Sequence, residues 1–310
     1  MSAPRPAERH PLLHPALLLA LAQLLWAGNF VLGRAMSAHI PPVALAFWRW
    51  AVALAVLLPL TWRSVRGCWP AIRGSLGVLV PLGVLGVGNF NTLVYVGLGQ
   101  TSATNAALLN SACPAFILML APLLGGPRPG RAQVAGILTS LVGVLVIVAR
   151  GDPRTLLGLS FNRGDGWVLA AVLSWACYTV LLARRPAGVP AMALLTVTVA
   201  IGLGWIAPFY AVEAWRGARV TPDPATLATL AYVGVLASVV AYAAFNQGVA
   251  ALGPQRSGAF LHLLPAFAVV LAALLLGEAF HAYHAAGIGL VLLGVRVAGG
   301  RGRPPDPPDA

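Results

Sequence analysis

ACPAFILMLAPLLGGPRPGRAQVAGILTSLVGVLV, residues 112–146, and LLPAFAVVLAALLLGEAFHAYHAAGIGLVLLGVRV, residues 263–297, decide how this chain is read. A shift of 151 residues lays Pro114 on Pro265, Ala115 on Ala266 and Phe116 on Phe267. The same shift lays Gly126 on Gly277, Gly136 on Gly287 and Gly143 on Gly294, without a gap. Leu- and Gly-rich sequences match by chance at isolated positions. A gapless register that holds a PAF triplet and three glycines does not arise so easily. A weaker match, Trp26 with Trp175, opens each copy. The chain reads as a duplication.

Composition says where the duplicated unit lives. Of 310 residues, 59% are hydrophobic and 9% charged, with a mean hydropathy of +0.83. A soluble domain carries about 25% charged residues, so this chain lacks the polar surface for water. Its apolar residues fall in ten blocks near the ~20 residues that cross a hydrocarbon core as helix. The blocks are roughly 12–33, 43–62, 75–97, 102–124, 132–149, 166–183, 190–212, 225–248, 256–277 and 282–298. Five spans per copy is an odd number, so the copies enter the membrane in opposite senses. The expected fold is an all-α membrane protein of ten transmembrane helices, built as two inverted five-helix repeats around a central cavity. The expected divisions are an N-terminal tail (1–11), a first repeat (12–149), a connecting loop (150–165), a second repeat (166–298) and a disordered Pro-rich tail (299–310). The first block lacks a small-residue cleavage site and reads as a retained helix rather than a signal peptide.

All 20 basic residues are arginine, and the net charge is +12. With an N-terminus inside, thirteen arginines fall on the inner side and six, Arg34, Arg150, Arg154, Arg163, Arg216 and Arg219, on the outer. That asymmetry follows the positive-inside rule and places both termini in the cytoplasm, with the bacterial inner membrane as the expected location. The charge therefore serves topology, and no nucleic-acid partner is expected. The three cysteines, Cys68, Cys113 and Cys177, have neither metal-ligand spacing nor a disulfide framework. No HExxH, Gly-x-Ser-x-Gly, P-loop or intramembrane Asp pair occurs, so neither an enzyme nor a cofactor or metal is expected. Inverted repeats mark secondary transporters, which hold substrate near the midplane between the halves.

The stretches WAGNFVLGR (26–34), PPVALAFWRW (41–50) and the PAF…G…G…G pattern that closes each half resemble the drug/metabolite transporter superfamily. More narrowly the chain, over about 15–298, resembles its ten-helix EamA-type exporters and, within them, the bacterial amino-acid exporter branch. The resemblance implies ten helices, cytoplasmic termini and a cavity lined mainly by helices 1, 3, 4, 6, 8 and 9. The second half departs at Arg49, whose counterpart region MALLTVTV (192–199) has no basic residue.

Polar residues inside a span normally face the bundle or a water-filled cavity. The candidate substrate-binding set is Trp26, Asn29, Asn89, Asn110, Trp175, Tyr178, Tyr242, Asn246 and His262. Asn89 is preferred to Asn91, some 200° away around the helix, because Gly86 and Gly88 open space beside it. Aromatics beside amides, as in Trp26/Asn29 and Tyr242/Asn246, suit a small amphipathic molecule; the alternative is helix packing. Arg49 either anchors a substrate carboxylate or snorkels to the interface. Pro114 and Pro265 kink their helices and are candidate hinges. The function expected is export of amphipathic metabolites, amino acids first, by alternating access. Sugars, nucleotide derivatives or drugs on the same fold are the alternative, with a membrane enzyme or a channel behind them. A single chain is expected to suffice. With no carboxylate at mid-span, apart from Glu278 at the turn between helices 9 and 10, obligatory proton coupling is not expected, and His262 is the remaining titratable candidate.

Overall fold

Asn162 shows how the helix ends are set. Its side chain accepts from the N–H groups of Gly164 and Asp165, while Asp165 Oδ2 accepts from the Asn162 N–H at 2.7 Å. This reciprocal cap starts the sixth long helix at Arg163, three residues before the hydropathy begins. A computed structural model describes residues 14–36, 39–101, 103–158, 162–276 and 279–299. Glu278, Gly277, the expected N-terminal tail and residues 300–310 of the expected C-terminal tail lie outside the described residues.

The long helices, numbered here in chain order, are α1 (Pro15–Ala35), α2 (Pro42–Gly67), α3 (Leu76–Leu98), α4 (103–123), α5 (Arg131–Val148), α6 (Arg163–Arg184), α7 (Ala191–Trp215), α8 (Pro224–Leu252), α9 (254–276) and α10 (Ala282–Gly299). Among the described residues nine are long and apolar enough to cross a membrane, and α1, apolar over Pro15–Asn29, completes the ten. Short helices at Trp69–Gly74 and Arg154–Leu157 were not visible as hydropathy. One residue, Gly253, separates α8 from α9; its φ of +80° is open to glycine at little cost. The outer surface carries Leu60, Leu123 and Leu274, each more than 70% exposed, which is how a lipid-facing wall differs from a soluble one.

The halves pack as a two-fold arrangement. Helix α5 lies along α10 and α2 along α7, which are equivalent pairs, while α1 meets α8 and α9 as α6 meets α3 and α4. The repeated glycines explain the α5–α10 contact. A Cβ on Gly143 would lie 2.6 Å from the Gly287 carbonyl oxygen, and one on Gly136 would lie 2.5 Å from that of Gly294. Small residues let membrane helices approach backbone to backbone. Here the glycines of each copy meet those of the other.

Two irregularities also repeat. Helix α3 is π-helical over Gly83–Asn89, and α8 over Tyr232–Val240. A π turn leaves carbonyls free of the α pattern, and side chains from the opposite half take them. Ala237 O accepts from Trp26 Nε1 and from Arg49 Nη2, both at 2.9 Å. Gly86 O accepts from Tyr242 at 2.8 Å, and Leu85 O from Ser174 at 2.9 Å. The two helices that carry the repeat-related Pro114 and Pro265 are irregular just before the proline. Helix α4 is interrupted at Ala112, and α9 passes through a 3-10 turn at Phe260–His262.

Candidate substrate cavity

Between the halves lies a cavity lined by Gln23, Trp26 and Asn29 of α1, Phe90 and Asn91 of α3, and Asn110 and Cys113 of α4. Trp175 of α6, Tyr242 of α8, and Leu261 and Leu264 of α9 complete the wall. These are the six helices that the family resemblance implied. The free volume is about 20 Å³, room for about one water, so anything larger requires the walls to part. No lining residue is acidic.

Aromatic rings form one side. Trp26 meets Trp175 edge-on at 5.1 Å between centroids and Tyr242 at 5.4 Å, while Phe90 lies 4.7 Å from Trp175. Such contacts hold large apolar surfaces in fixed orientation.

Arg49 sits behind the amides, about 10 Å from the start of α2 by helical rise. It is fully buried, so it does not snorkel. Its Nε donates to Ser238 Oγ at 2.6 Å and Nη2 donates to Ala237 O. Its Nη1 faces Asn91 Oδ1 at 2.9 Å, Tyr95 OH at 3.1 Å and Asn29 Oδ1 at 3.3 Å. The Trp50 ring lies 5.0 Å from the guanidinium carbon. Every hydrogen-bond partner is neutral. The cation reaches the cavity through Asn29 and Asn91, and Asn91 Nδ2 passes the chain on to Tyr242 OH at 3.1 Å.

Five of the nine candidates, Trp26, Asn29, Asn110, Trp175 and Tyr242, line the cavity. Four do not. Asn89 accepts from Trp205 Nε1 at 2.9 Å on the outer face, and Asn91 takes the inner position. The space that favoured Asn89 is filled: the Tyr178 ring packs on Gly86, and a Cβ on Gly88 would meet Trp205 at 2.6 Å. Tyr178 donates to Asn246 Oδ1 at 2.7 Å, so this pair joins α6 to α8 behind the wall. His262 has both ring nitrogens engaged, by Ser140 Oγ at 2.5 Å and the Ser111 carbonyl at 2.9 Å. It ties α9 to α4 and α5. Phe90, Cys113, Leu261 and Leu264 were missed as lining residues, and Gln23 stayed outside the candidate set. Gln23 carried a signal, being an amide three residues before Trp26; the apolar ones carried none.

The acids serve helix ends. Glu213 of α7 accepts from Val43 N at 3.1 Å and Ala44 N at 2.7 Å, capping α2. Asp223 caps α8 through Thr226 N and pairs with His39 at 3.1 Å. The backbone bond from Thr226, then the contact with His39, holds the Asp223 carboxyl below the usual carboxylate range. Asp165 accepts from Thr101 and Asn105, tying α6 to α4. Among the described residues no His, Cys, Asp and Glu cluster that could hold a metal occurs.

Several known proteins are similar along most of their length. A protein of Bacillus subtilis (strain 168) named "uncharacterized transporter YyaM" is 27% identical, covering 88% of this chain and 89% of its own. A "probable amino-acid metabolite efflux pump" of Salmonella typhimurium is 26% identical, covering 90% and 93%. A "probable terminal-alkyne amino-acid exporter" of Streptantibioticus cattleyicolor is 28% identical, covering 84% of each. One crystal structure shares the fold, with a TM-score of 0.74 at 20% identity over 92% of this chain and 96% of that one. The profile of the EamA-like transporter family matches twice, at residues 14–149 and 162–299, which are the two copies seen in sequence and in packing. The chain belongs to the EamA-like transporter family and is a multi-pass membrane transporter, not an enzyme.

Proposed function

We propose that this transporter exports small amphipathic metabolites, amino acids foremost, by alternating access between the inverted halves. The observation that carries the reading is the cavity itself: one site shared by both halves, with amides and aromatics on its wall, a buried cation behind it and no acid. Amides offer both donors and acceptors, which suits a zwitterion, and the rings suit its apolar part. The two relatives named for amino-acid export support the same substrate class. A cationic drug would find no carboxylate on the wall. We place both termini in the cytoplasm of a bacterial inner membrane, on the arginine asymmetry, with one chain as the working unit. The first repeat is proposed to span 12–149 and the second 166–298, joined by an extracytoplasmic segment.

The test is counterflow in proteoliposomes loaded with individual amino acids. Trans substrate should accelerate uptake of labelled substrate. Uptake that is insensitive to trans substrate would indicate a pore, and no uptake of any amino acid would remove the substrate class.

A further inference from the structure

Two side chains on the cavity wall are buried without a hydrogen-bond partner. They are Gln23, with Oε1 and Nε2 both unmet among the described residues, and Trp175, with Nε1 unmet likewise. Gln23 is 0% and Trp175 2% exposed. Unmet buried polar groups are costly and rare in folded proteins, and a pair of them on one cavity wall points to a ligand. They come from opposite halves. Trp26, one helical turn from Gln23, touches the Trp175 ring.

The broken symmetry between the two tryptophans sharpens the point. Trp26 gives its indole N–H to Ala237 O, in the π turn of the other half. Helix α6, which carries Trp175, packs on the corresponding π turn of α3, where Gly86 O is already taken by the Tyr242 hydroxyl. The Trp175 N–H is left without a partner among the described residues, on a ring that lines the cavity. Arg49, with neutral partners only, touches Asn29 and Asn91 of the same wall. One water neutralises no cation.

We propose that Trp175 Nε1 and Gln23 Nε2 form a carboxylate subsite, with Arg49 supplying the opposite charge from behind Asn29 and Asn91. The substrate's apolar part rests on Phe90, Leu261 and Leu264. The substrate class is then an amphipathic monocarboxylate. An α-amino group is accepted, through Gln23 Oε1, but is not required, whereas an amine without a carboxylate is rejected. This rests on the transport reading above and goes further in saying which end of the substrate is recognised.

The test compares L-phenylalanine, 3-phenylpropionate and phenethylamine, which share ring and chain and differ in charged groups. Binding to the purified full-length protein in detergent is read by tryptophan fluorescence and by thermal shift. Phenylalanine and phenylpropionate should bind, and phenethylamine at least roughly tenfold more weakly, the size of one charge-assisted hydrogen bond. Trp175→Phe and Gln23→Leu keep ring and bulk and should each weaken phenylpropionate by about tenfold, with no change for phenethylamine in Trp175→Phe. Equal binding of the amine, unaltered affinity in both variants, or no binding of any probe would each overturn the subsite. Binding of the carboxylates without counterflow would leave the subsite standing and sink the transport reading. Counterflow of phenethylamine alone would do the reverse.

Discussion

Arg49→Met tests whether the buried cation serves the fold or the cargo. A buried ion pair cut in half leaves a stranded charge, which is why such mutants lose stability. Among the described residues Arg49 has no charged partner, so its removal leaves only neutral acceptors. Most of them keep a bond: Asn29 Oδ1 still accepts from Tyr95, Ala237 O from Trp26, and Ser238 Oγ still donates to Val233 O. Asn91 Oδ1 alone is orphaned among those acceptors, at a cost of about 1–3 kcal/mol. Against this stands the cost of placing an arginine within a span, at most about 2.5–3.5 kcal/mol, the insertion-scale value at the helix centre. The two nearly cancel, leaving stability within about 2 kcal/mol of the parent, a Tm shift of about 8 °C or less. Transport of a carboxylate should fall by roughly 10–100-fold, the loss of one charge-assisted interaction. The assays are a thermal scan in detergent and initial rates in proteoliposomes for the same preparation. A variant that fails to fold, or one that folds and transports normally, would refute the reasoning.

Four further outcomes follow from the packing. Asn89→Ala should leave transport unchanged and Asn91→Leu should abolish most of it, since only Asn91 lies on the wall; matched initial rates decide. Pro114→Ala and Pro265→Ala should alter transport rate more than affinity, measured as Vmax against Km, because they restore helix where α4 and α9 break and leave the wall intact; normal rates in both would make the breaks purely architectural. Gly143→Ala should cost about 1–3 kcal/mol by overpacking, read as a lowered Tm, because its methyl group would press on the Gly287 carbonyl. A carboxyl with a depressed folded pKa contributes stability above its unfolded value of about 3.9 and loses it as pH falls through the folded one. Melts of the parent should therefore lose Tm below about pH 4, and Asp223→Ala should lose less over the same range.

The repeat, the ten spans and the π-turn helices' place on the wall were within reach of the sequence to different degrees. Gly136, Gly143, Gly287 and Gly294 recur at fixed spacing because backbone contact tolerates nothing larger, and that constraint is written directly into residue type. Helix ends were less legible. Arg163 joins α6 because Asn162 and Asp165 cap it, a local hydrogen-bond matter that hydropathy does not weigh. The choice between Asn89 and Asn91 required knowing that Tyr178 and Trp205 fill the space beside the glycines. Those neighbours come from the other half, some 90 to 115 residues away in the chain, and no local pattern reports them. His262 misled for a similar reason. Its partners, Ser140 and the Ser111 carbonyl, are serine positions with no distinguishing pattern of their own.

Helices α5 and α10 close the two repeats and touch through their glycines, each of which lies against the backbone of the facing helix. Sliding one along the other would drive each Cα into a facing carbonyl, so the pair moves as one girder. In the proposed alternating-access cycle the motion that opens the cavity is then carried by the remaining eight helices, with the girder as the frame they turn against. A covalent tether engineered between α5 and α10 should leave transport intact, whereas the same tether between α1 and α6, across the cavity, should stop it. Arrest by the α5–α10 tether would show that the frame itself takes part in the stroke.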